Sequence, residues 1–86
     1  MTKQQNITFE MLEKMAMEVL IRALETSRKI SKGNELHFAN TEFDMGKFYG
    51  IVDIMQECEI DKFVTFWEKV KSTLDIIMNN IEKFYK

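Results

Sequence analysis

Few residues in this chain could do covalent or metal chemistry. Cys58 is the only cysteine and His37 the only histidine. A nucleophilic thiol needs a lowered pKa and a nearby base. Cys58 stands between Glu57 and Glu59, whose negative charge favours the neutral thiol, and no spacing brings His37 to it. Cys58 is therefore expected as a small core residue, and His37 as a solvent-facing or locally hydrogen-bonded loop residue. Carboxylates are plentiful, but no Glu-x-x-His pair, cysteine pair, calcium loop or phosphate-cradling glycine loop occurs. Glu10, Glu13, Glu18 and Glu25 read as a solvated helix face, with Lys14 and Arg22 as i,i+4 partners. The expectation is a protein that is not an enzyme, with no catalytic residue, no metal, no cofactor and no small-molecule substrate.

Charge narrows the partners. The net charge is −2, which disfavours nonspecific attraction to nucleic acid or to an anionic membrane. Its distribution is uneven. Between residues 36 and 60 Lys47 is the single base, against Glu42, Asp44, Asp53, Glu57 and Glu59. A basic group, Arg28, Lys29 and Lys32, with Lys3 further off, offers a nucleic-acid-associated regulator as the alternative function. A helix C-terminus in need of cations explains the first three equally well.

These side chains must be positioned by helices. At about 100° per residue the apolar positions sort into three stripes, in a chain of 86 residues without proline. The first stripe spans about residues 8–32, with Asn6 or Thr8 as N-cap. Phe9, Leu12, Met15, Ala16, Val19, Leu20, Ala23, Leu24 and Ile30 lie on one side, with Met17 widening it to an arc of about 200°. Gly33 suits a left-handed residue closing that helix. "NELHFAN" reads as a connection pinned by Leu36 and Phe38, and Asn40 or Thr41 as the N-cap of a second helix over about 42–58. The third spans about 61–85. Phe63, Trp67, Val70, Leu74, Ile77, Ile81 and Phe84 alternate by four and three there, a seam too short for an extended coiled coil. Glu59 and Lys62 interrupt the stripe between helices two and three, so a break is expected near 59–61, with Asp61 as cap. The fold class is all-α: one domain, residues 1–86, forming an antiparallel three-helix bundle that dimerises into a larger one.

Composition agrees with such a chain. Apolar residues make up 45% and charged residues 30%, as expected for a soluble globular domain. No apolar run exceeds three residues, so no membrane span is expected. The polar start, "MTKQQNITFEM", has no signal-peptide hydrophobic region. An unpaired cysteine makes the cytoplasm the expected compartment.

Two glycines within the second helical pattern, Gly46 and Gly50, need an explanation, because each costs about 1 kcal/mol relative to alanine in a helix interior. Phe48, Ile51, Val52 and Met55 centre the apolar face, and the glycines fall nearly opposite, bordered by Phe43 and Ile54 on one side and Tyr49 on the other. Either the first turns of this helix are irregular, or the missing side chains let another backbone approach. The second reading makes Phe43, Gly46, Tyr49, Gly50, Asp53 and Glu57 a partner-binding strip. Ten aromatics and seven methionines exceed what a small three-helix core requires, and Met11, Ile21, Val64 and Ile76 lie off the main stripes. A protein partner, a second copy, or both should cover that surface. The function expected is a small non-enzymatic interaction module: an adaptor, regulator or inhibitor. A purely structural helical dimer is the remaining alternative.

Overall fold

The computed structural model describes residues 8–86 and contains three helices: α1 (Phe9–Ser27), α2 (Glu35–Cys58) and α3 (Ile60–Glu82). The all-α expectation holds. Asn6 and Lys3 lie outside the described residues.

α1 begins where a side-chain oxygen is available to satisfy its first free N–H groups. Thr8 is extended, and its Oγ1 accepts from the Met11 N–H at 3.2 Å. Phe9, Leu12, Ala16, Leu20 and Ala23 recur by three and four and are buried. The helix ends at Ser27, five residues short of the expected 32. Lys29 N–H and Ile30 N–H bond to the carbonyls of Thr26 and Ser27, so the chain leaves α1 through tight turns. Ile30 is buried after that turn, which explains why periodicity continued past the helix. Gly33 does take the left-handed conformation, at φ 76°, but in the connection and not at the cap.

α2 starts at Glu35 and not near 42, which is the largest departure from expectation. Asn34 caps it, its Oδ1 accepting from the Leu36 N–H at 3.2 Å. Asn40 and Thr41 are interior, and the Thr41 hydroxyl turns back to donate to the His37 carbonyl at 2.8 Å. His37 is accordingly half-buried on a helix, not in a loop. The physical cause is tertiary. Phe38 stacks on Phe84 with centroids 4.1 Å apart, and Tyr85 meets its edge at 5.6 Å. Leu36, expected to share that anchoring, is exposed.

The break expected between the last two helices is a single residue. Glu59 is extended at φ −148°, ψ 97°, and caps both helices through its backbone. Asp61 does not cap; it is the acid in the first turn of α3. Val70, Leu74, Ile77 and Ile81 of the expected seam are buried, while Phe63, Trp67 and Phe84 are half-buried at its ends. Phe66, outside the expected seam, is almost wholly buried and faces Phe48 with centroids 6.4 Å apart. Two side-chain hydrogen bonds tie α3 to α1. Asn80 Nδ2 donates to Ser27 Oγ at 3.0 Å in the interior, and Lys62 Nζ donates to Glu10 Oε2 at 3.0 Å on the surface. Cys58, expected in the core, is exposed at the end of α2.

Candidate docking groove between α1 and α2

The groove is positioned by an ion pair that joins two helices. Arg22 lies on the border of α1's buried stripe, and Asp44 lies on the α1 side of α2. The guanidinium donates twice to the carboxylate, Nε to Oδ2 at 3.1 Å and a terminal nitrogen to Oδ1 at 3.0 Å. This fork geometry fixes direction as well as distance. Those bonds and the charge of Asp44 hold the Arg22 proton more firmly than usual, with a smaller contribution from Glu18. Asp44 is buried, so its partner is essential to it. The i,i+4 pairing expected between Glu18 and Arg22 gives way to this longer-range one. Glu10 and Glu13 likewise reach across to Lys62 and Lys69 on α3.

Beside the ion pair an open groove of about 610 Å³ runs between the two helices. Met15, Val19, Ile51 and Ile54 supply its apolar walls, Gly50 leaves one wall low, and Arg22, Lys47 and Glu18 stand on its rim. Its volume is in the range of sites that hold small molecules or inserted side chains. Met15, expected within the core stripe, and Ile54 are both about half exposed.

Both glycines lie in the regular interior of α2, since the helix begins eleven residues before Gly46. An irregular first turn therefore does not explain them. A Cβ built on either would meet nothing within 4 Å among the described residues. None of the described residues requires either position to be glycine. The structure gathers the expected strip on one face: Phe43, Gly46, Tyr49, Gly50, Asp53 and Glu57 are all exposed. Tyr49 leans edge-on against Phe48 at 5.7 Å. Lys47 Nζ sits over the Phe43 ring, 4.6 Å from its centroid, which places a cation on the strip's border.

The sequence pattern pointed to the strip and gave no sign of the groove. The nearest signal is Met15 and Arg22 at seven-residue spacing, on the edge and not in the centre of α1's stripe. The basic residues of the alternative reading, Arg28, Lys29 and Lys32, are exposed in the turn after α1. They do not sit in the last turn of a helix, where they were expected. Among the described residues no three His, Cys, Asp or Glu side chains lie close enough to hold a metal ion, and no helix is long and apolar enough to cross a membrane. No family model, curated protein or solved structure is significantly similar to this chain.

Proposed function

We propose that this protein is a small non-enzymatic interaction module, an antiparallel three-helix bundle that works in the cytoplasm by docking through the α1–α2 groove and the outer strip of α2. The observation that carries this reading is the apolar surface left uncovered. Among the described residues twelve large hydrophobic side chains remain 44–70% exposed, while the core beneath them is filled. Scattered apolar residues are ordinary on a protein surface. Here Ile54 of α2 faces Met15 of α1 across an open groove, and Phe43 and Tyr49 are exposed on the outer strip of the same helix, which is how a binding surface is built. The exposed thiol of Cys58 suits a reducing compartment.

A photoreactive amino acid at Tyr49, introduced into the full chain in living cells, tests the reading. Covalent adducts that form at that position and disappear when Gly50→Leu is added support docking on this face. A probe that stays unreacted while the chain is folded and abundant overturns it.

A further inference from the structure

Resting on that docking reading, we infer that the groove's occupant is α2 of a second copy of this chain, the two α2 helices crossing in opposite directions about a two-fold axis at Gly50. The groove and the strip share Gly50, and Ile54 lines the groove while bordering the strip, so one continuous patch is both receptor and ligand. A two-fold interface demands that property, because the same patch must face itself.

The register then follows from counting. About an axis at position 50, each residue meets the one equally far on the other side. Gly50 meets Gly50 of the partner subunit, and with no side chain on either helix the axes can approach closely where they cross. Gly46 meets Ile54 of the partner subunit, so an exposed isoleucine enters the space that the absent side chain leaves. Lys47 meets Asp53 of the partner subunit. Phe43 meets Glu57 of the partner subunit, and Lys47 Nζ already lies over the Phe43 ring. One ammonium is thus held opposite two carboxylates spaced a helical turn apart, and symmetry repeats the arrangement. The same crossing lays α2 against Met15 and Val19, completing a four-helix core from two copies of α1 and α2.

Charge complementarity selects this occupant. The rim of the groove carries Lys47 and the Asp44-paired Arg22 against a single acid, Glu18, and the outer strip of α2 carries Asp53 and Glu57 without a base among them. A partner helix with a basic outer face would set its cations against Lys47. A parallel pairing of two copies would set Lys47 against Lys47 and Asp53 against Asp53.

Sedimentation equilibrium of the purified full chain, from micromolar to millimolar concentration, provides the test. The expected result is a mass rising with concentration toward twice 10.3 kDa. Lys47→Glu and Asp53→Lys should each weaken association about tenfold, the double variant should recover most of that loss, and Gly50→Leu should abolish it. Circular dichroism confirms that each variant is folded. A species that stays at 10.3 kDa throughout overturns the inference, as does a double variant no better than the singles. If the chain is monomeric yet the Tyr49 probe captures a different protein, the second copy fails and the docking reading stands. If the probe also captures nothing, both fail.

Discussion

Replacing Gly46 and Gly50 by alanine should stabilise the isolated subunit. Both residues are in the interior of α2 with ordinary helical backbone, neither having a positive φ. Among the described residues nothing crowds an added methyl group at either position. What remains is the helix-propensity difference, about 1 kcal/mol per site in favour of alanine, part of it from restricting the unfolded chain. For a domain of this size that corresponds to a rise in melting temperature of about 4–8 °C per substitution. The two sites are one turn apart but their new methyl groups touch nothing else, so the gains should nearly add. Thermal unfolding followed by circular dichroism at low micromolar concentration, below any association, measures it. At high concentration the gain should shrink, because methyl groups at the crossing point push two subunits apart. A melting temperature that falls in dilute solution refutes the reasoning, since something inside the subunit would then be packed against these glycines.

Gly33 should behave in the opposite way. With φ at 76°, Gly33→Ala forces a left-handed alanine and should cost about 1–2 kcal/mol by chemical denaturation, whereas Gly33→Asn should cost less. Arg22→Ala should lower the melting temperature more than Lys62→Ala, because it leaves the buried Asp44 carboxylate without its fork. Arg22→Met combined with Asp44→Leu should recover much of that loss, as measured in a double-mutant cycle. The pair of Glu10 and Lys62 gives stability a pH dependence at both ends. The hydrogen bond from Lys62 lowers the Glu10 carboxyl below its usual 4.5, so its contribution is present above that value and fades as the pH falls through the lowered one. Hydrogen bonds to Glu10 and Glu59 raise Lys62 above 10.5, so its contribution is present below that value and fades as the pH rises through the raised one. Both groups are exposed and screened by solvent, so Glu10→Gln should flatten the acid limb of a melting-temperature profile only slightly.

Much of this fold is legible in the residues. The Thr8 cap, the three-and-four spacing of Phe9 to Ala23 and the left-handed Gly33 are local features, decided by side chains within a turn or two. The break at Glu59 is legible too, although no glycine or proline marks it. The stripe is interrupted there, and a continuous helix would not return Phe66 to Phe48. What escapes a reading along the chain depends on partners far away in sequence. The stretch from Glu35 to Asn40 lacks an apolar period, although Glu35, Leu36 and Ala39 are good helix formers. The Asn34 cap starts it, and Phe38 anchors it by finding Phe84 and Tyr85 from the far end of the chain. Asp44 looks like an N-terminal acid until Arg22, a full helix earlier, claims it. The groove is hidden for the same reason, since its walls come from two helices. The strip on α2 was visible because it lies on one helix.

The central claim is that the groove and the bare face of α2 are covered by another α2. Isotope-filtered nuclear Overhauser spectra of a mixture of labelled and unlabelled chains test it most directly. The account predicts contacts between the Ile54 methyl groups of one subunit and the Gly46 α-protons of the other. A concentrated, folded mixture showing no contact between subunits at these positions would contradict it.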